Sequence, residues 1–289
     1  MSSVHAPARS ARPLTVADLR RFAINQITTN SLDLPAACEL YARHGIGGIG
    51  LWRNKVSEVG LARARQAITD NKLLVSSINV AGLFSQFGRK GFQRQVDETR
   101  ATIDEAHQLD ARTVCMVAGG LAEGERDLAD ARRMFEEGLE AVLPHARAAD
   151  VRLMLEPLHP MYLRDWSTLV TLRAANDLCD RLGKGVGLSL DVYHTFWDPD
   201  FEREVLRACA VPGRLGILVI SDWLTHTRSL NDRGMIGDGQ IDLRGIRALV
   251  ENAANCDGLI ELEIFSDEIW AQPPEEVVAR ARERFLTCA

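Results

Sequence analysis

The chain has 289 residues, enough for one large α/β barrel or two ordinary domains and too many for a mini-protein that needs staples. It is 46% hydrophobic and 26% charged, with a formal net charge of -6. That composition excludes a disordered chain and a nucleic-acid footprint spread over the surface, and no apolar run reaches the length of a membrane span. The six cysteines are scattered without a CxxC pair. They read as reduced thiols of a cytosolic protein rather than a zinc–thiolate site.

Met1–Val16 carries no acidic residue and lacks the apolar stretch of a secretory signal. Residues 1–20 are expected to form a flexible tail, and 21–289 a single domain.

From Arg21 onward, strand-like and helix-like runs alternate. The first strand is expected at Phe22–Ile27. A helix follows at Asp33–His44, with Leu34, Ala37, Leu40 and Tyr41 on one face and Gly45 as its stop. The next pairs are Gly48–Trp52 with Val59–Asp70, Leu74–Val80 with Phe92–Leu109, and Thr113–Ala118 with Asp127–His145. Then come Val151–Glu156 with Ser167–Leu182, and Gly185–Asp191 with Phe201–Cys209. Leu215–Ser221 is followed by a long loop at Thr225–Gln240 and a helix at Leu243–Ala254. Leu259–Phe265 and Pro274–Leu286 close the series.

The strand cores are nearly continuous apolar runs, such as Gly216-Ile217-Leu218-Val219-Ile220, as expected of parallel strands covered by helices. Eight strand–helix units without a linker or a glycine-rich phosphate loop predict one (β/α)8 TIM barrel rather than a doubly wound sheet.

In such a barrel the chemistry lies at the C-terminal ends of the strands. The fifth strand ends in Glu156, the sixth in Asp191, the seventh in Ser221-Asp222-Trp223, and the eighth carries Glu261 and Glu263. Carboxylates at the ends of buried strands must be paired, protonated or bound to a metal. Oxygen donors with a histidine favour Mn, Mg, Fe, Co or Zn. Asp191 and His194 form a DxxH unit, and His159 and His226 lie in loops on the same side. Arg233, in the long loop, is placed to hold a substrate oxygen. Trp52, Trp197 and Trp223 either pack under loops or offer flat faces to a sugar ring.

These segments resemble the xylose-isomerase-like barrels: sugar phosphate isomerases and epimerases, inosose dehydratases and, more distantly, apurinic endonucleases. The resemblance rests on Glu156-Pro157-Leu158-His159-Pro160, Leu190-Asp191-Val192-Tyr193-His194, Ser221-Asp222-Trp223, Asp232-Arg233 with Gly237-Asp238-Gly239, and Glu261-Leu262-Glu263-Ile264-Phe265. It implies a divalent metal, such as manganese, held by Glu156, Asp191 and Glu263. Glu156 and Glu263 would serve as base and acid, and substrate contacts would come from His194, Arg233, Trp52, His159, Asp222 and His226.

The family's fourth ligand is a histidine where this chain has Val219, which leaves a water, His194 or His226 to fill the place, or weak or no metal binding. Gly234 stands where the endonuclease-type loop has a second histidine. The implied activity is isomerisation or epimerisation of a sugar or keto-polyol through an enediolate. The alternatives are a lyase resembling inosose dehydratase, or a catalytically silent barrel acting as a subunit or binding module. The partner is then a small sugar or cyclitol rather than nucleic acid or membrane, the location cytoplasmic, and a homo-oligomer remains open.

Overall fold

Each apolar run expected to be a strand forms one in the computed structural model, which describes residues 11–253 and 258–289. The strands are β1 (Phe22–Asn25), β2 (Gly48–Trp52), β3 (Leu74–Gly82), β4 (Thr113–Val117), β5 (Arg152–Leu155), β6 (Val186–Asp191), β7 (Leu215–Ile220) and β8 (Leu259–Leu262). Sequence neighbours pair in parallel and β8 pairs with β1, so the sheet closes into a single (β/α)8 barrel. The main apolar core lies between this sheet and the surrounding helices, where residues such as Leu34, Tyr41, Phe135, Leu139 and Phe285 are fully or almost fully buried. No helix among the described residues is long and apolar enough to cross a membrane.

Local chemistry sets the helix boundaries. The Asp33 carboxylate accepts from Ala36 N at 2.9 Å and starts the helix Leu34–Arg43. The helix expected from Ser167 begins only at Leu172, because the Thr171 hydroxyl caps it through Ala174 N. Ser167 is instead bridged to Gly119. A helix at Arg53–Val59 was not expected. Gly60, at φ 81°, separates it from Leu61–Asp70, a backbone angle that glycine adopts without steric cost. The helix expected to run to Ala254 spans Leu243–Glu251, and residue 254 lies outside the described residues.

Two other expectations change. Residues 1–10 of the expected flexible tail lie outside the described residues, but the rest is built onto the barrel. Val16–Arg21 forms a 3-10 helix whose buried Asp18 pairs with Arg12, and Arg247 donates to the Arg12 carbonyl at 2.7 Å. Burying a carboxylate is favourable here because Arg12 and the Thr15 backbone N–H and hydroxyl share its charge. Of the cysteines expected to be reduced, Cys38, Cys115, Cys179 and Cys288 are free thiols, whereas Cys209 is disulfide-bonded.

The packing around Gly138, on the helix Leu128–Ala148, gives a stability prediction. A Cβ added there would meet the buried Phe84 ring at 2.4 Å. Gly138→Ala is expected to destabilise the fold by about 1–3 kcal/mol, because overpacking outweighs the gain in helix propensity. Urea denaturation measures this, and an unchanged or higher midpoint would show that the ring yields freely.

Candidate active site

The barrel brings four buried acids to one mouth. Glu156 follows β5 directly, and its N–H donates to Met116 O on β4 at 3.0 Å. Asp191 ends β6 and is fully buried. Glu261 and Glu263, two residues apart, share the inward face of the eighth strand and its continuation. Asn25, at the end of β1, donates to both, at 2.6 Å to Glu261 Oε1 and 2.9 Å to Glu263 Oε1. Its own carbonyl oxygen accepts from Trp52 Nε1 at 2.8 Å. Ser76 and Ser77 also donate to Glu261, which fixes it deeper in the barrel than Glu263.

One guanidinium stands among these acids. Asp222–Trp223 and Arg233–Gly234 pair as a short antiparallel ribbon that folds the long loop back over the barrel mouth. The Arg233 N–H donates to Phe265 O at 3.0 Å, and its side chain, 4% exposed, turns inward. Nη1 donates to Asp191 Oδ2 at 2.9 Å and to Glu263 Oε2 at 3.2 Å, and Nη2 lies 2.9 Å from His194 Nε2. The guanidinium carbon lies 4.6 Å from the Tyr193 ring centre and 5.1 Å from that of Phe265, within cation–π range of both.

The charges do not balance unless some acids keep their protons. Burial works against the Arg233 cation, but Asp191 and Glu263 outweigh it and raise its pKa further above an already basic value, so it stays charged. Burial pushes Glu156 up to about 7, the Asp191 charge adds to this, and bonds from Cys115 Sγ at 3.0 Å and Ser189 Oγ at 2.9 Å oppose it. Burial also holds Glu263 well above the usual carboxylate range, against the pull of Arg233. Asp191 is raised by burial as well, while Arg233 and the Tyr193 N–H draw it back.

His194 is neutral, since burial and then Arg233 lower its pKa well below the ordinary value. Both of its ring nitrogens face N–H donors, Nε2 that of Arg233 and Nδ1 that of His159 at 3.2 Å. A neutral imidazole has one lone pair to offer. Arg233, by the shorter and charge-assisted contact, and the His159 N–H therefore compete for that lone pair.

A cavity of about 300 Å³ opens above this cluster and is lined by Glu156, His194, Arg233 and Glu263 with Trp52 and Phe265 among its walls. The other expected contacts lie elsewhere. Asp222 is fully buried, and its carboxylate is spent on the N–H groups of Trp223, Gly237 and Ile241, so it organises the loop and is not among the cavity residues. His226 is exposed on the loop, away from the cavity. His159 packs between Trp197 and Trp223, with ring centres at 5.5 and 5.1 Å, beneath the loops. Trp223 stacks on Tyr193 at 4.7 Å, so it supports the site from behind. Sequence reasoning missed Asn25, Cys115 and Ser189. Asn25 carried a usable signal, a polar residue closing an apolar strand.

A model of the xylose isomerase-like TIM barrel matches residues 38–288. The chain belongs to this family. Among solved structures it is similar to protein SMc04130 from Sinorhizobium meliloti 1021, with 41% identity over 94% of this chain and 99% of that one and a TM-score of 0.91. The IOLI protein with a bound zinc atom shares 20% identity over 92% of this chain and 96% of that one, at a TM-score of 0.79. L-ribulose 3-epimerase shares 22% identity over 92% and 93%, at a TM-score of 0.75. These last two show likeness of fold alone. No curated protein matches.

For this xylose isomerase-like barrel, the expected metal can be tested against the donors present. Glu156, Asp191 and His194 each offer an atom within 4.8 Å of the others, a group that could hold a divalent ion. Glu263, expected in that set, is not part of this group and is tied to it through Arg233. Val219 is in register with Asp191 on β6 and Glu261 on β8, which puts its apolar side chain on the inward face where a fourth ligand would stand. Arg233 already occupies Asp191 Oδ2, Glu263 Oε2 and His194 Nε2. As arranged, the donors do not fit a dication together with the guanidinium, because two cations would compete for the same atoms.

Proposed function

We propose that this protein moves a proton next to the carbonyl of a small polyhydroxy compound, a sugar or cyclitol, as an isomerase or epimerase. The observation that carries the proposal is the pair Glu156 and Glu263. They come from strands separated by β6 and β7, and both face one cavity with a buried cation beside it. A cavity of about 300 Å³ suits a small ligand. Glu156 at about 7 is close to even occupancy by its proton at neutral pH, as a general base requires, and Glu263 keeps a proton to return.

In this reading the Glu156 carboxylate removes the proton α to the carbonyl. The C–H electrons form the enediolate double bond and the carbonyl oxygen takes up the negative charge. Glu263 protonates the planar intermediate from the other side, and Trp52 and Phe265 form the apolar wall for the carbon skeleton. Solved structures of L-ribulose 3-epimerase and of D-psicose 3-epimerase in the presence of D-fructose share the fold, which supports this substrate class.

The test is incubation with a panel of ketoses, aldoses and inososes, followed by product analysis by NMR and mass spectrometry. An isomer or epimer of unchanged mass is expected. A product lighter by one water would assign the lyase reading, in which the same intermediate expels hydroxide. Conversion of none of them would remove the substrate class.

A further inference from the structure

We propose that Arg233 is the resident cation of this site: its guanidinium, rather than a divalent metal, holds the strand-end acids together, pairs with the Asp191 carboxylate and stabilises the enediolate oxygen. The second half of this statement rests on the proton-transfer reading above; the first half stands on geometry alone.

Three donor atoms that a metal would need, on Asp191, Glu263 and His194, are all within 3.2 Å of Arg233 nitrogens. The fourth place is Val219, an inward-facing side chain with no lone pair. Arg233 is also held where it is. The ribbon to Trp223 and the bond to Phe265 O fix its backbone, and the Tyr193 and Phe265 rings flank its plane. A dication entering between Asp191 and His194 would meet a positive charge in a buried site where little water screens it.

The replacement of one cation by the other is chemically self-consistent. A guanidinium has five N–H groups in a fixed fork. Nη1 uses both of its hydrogens on Asp191 and Glu263, and Nη2 uses one on His194. The second Nη2 hydrogen is left, and Nε–H has no partner among the described residues. Arg233 lines the cavity, and the free Nη2 hydrogen can meet the oxygen that becomes negative when Glu156 takes the α-proton, while Nε–H stays buried. The electron pair ends, as with a Lewis acid, on an oxygen held by a fixed positive group, and the single charge of the guanidinium in place of a dication's two is matched by an acid that keeps its proton. No redox change and no co-reactant enter the step.

The experiment reads metal binding, not turnover. Wild-type protein purified without chelator is analysed for metal content by mass spectrometry and titrated calorimetrically with Mn²⁺. Well under one ion per chain and no saturable binding up to ~1 mM are expected, which is the weak end of the specific range. Arg233→Met should gain saturable Mn²⁺ binding that a further Asp191→Asn substitution removes. Val219→His alone should not gain it, because Arg233 still holds the other donors. One ion per chain in the wild type, micromolar binding lost on Asp191→Asn, or tight binding gained by Val219→His alone would each overturn the assignment. If Arg233→Met fails to fold, the wild-type and Val219→His titrations still decide. A negative substrate screen leaves this result untouched, and a positive one does not imply it.

Discussion

Glu156→Gln is expected to lower turnover by about 10²–10⁴-fold while leaving substrate affinity within a fewfold, the pattern of a lost proton-transfer group. Glutamine keeps the shape of the side chain and can still accept from Ser189 Oγ, now at 2.9 Å from a carboxylate oxygen. What it loses is the proton site that burial, and then Asp191, place at about 7. Wild-type kcat/KM should therefore rise with pH through the neutral region, and the variant should lack that limb.

Stability should move the other way. The folded protein holds this proton more tightly than the ordinary value of 4.5, so the contribution is complete below 4.5 and is lost as pH rises through about 7. Across that window the wild type should become less stable relative to Glu156→Gln. Unchanged turnover would remove Glu156 from the mechanism.

Arg233→Met should destabilise the folded protein by about 3–5 kcal/mol at neutral pH, the cost of leaving a buried charge without its partner. Methionine fills much of the volume between the Tyr193 and Phe265 rings but offers nothing to the Asp191 carboxylate, which is 2.9 Å from Nη1. The loss should shrink as the pH is lowered, because Asp191 then takes up a proton and ceases to need the cation. Urea unfolding at two pH values reads both effects. A loss below about 1 kcal/mol at neutral pH would mean that Asp191 is already uncharged and that Arg233 does not hold it.

Much of the scaffold was legible because the strands are buried on both faces. Runs such as Arg152-Leu153-Met154-Leu155 carry little but apolar side chains, and each strand boundary fell within a few residues of the expected one. Glu156 and Asp191 stood out because a carboxylate ending such a run demands compensation. The compensation itself was not legible. Arg233 lies thirteen residues past the end of β7, and only the ribbon between Asp222–Trp223 and Arg233–Gly234 carries it back among the acids. Sequence reasoning gave it a substrate oxygen to hold, whereas its nearest partners are protein carboxylates.

Asp222 misled for the opposite reason. An acid after a strand can point to a ligand or to backbone N–H groups, and here three backbone donors take it. Cys115 and Ser189 are small residues inside apolar strands. Only the barrel's curvature reveals that both touch Glu156.

The measurement closest to the central claim is exchange of the substrate α-hydrogen with solvent deuterium, followed by NMR, in chelator-treated wild type and Glu156→Gln. Exchange reports proton abstraction whatever product is later released. The account predicts deuterium at the carbon next to the carbonyl in the wild type, undiminished by chelator, and exchange at least about 10²-fold slower in the variant. Equal exchange in both proteins, or exchange in the wild type that chelator abolishes and Mn²⁺ restores, would contradict it.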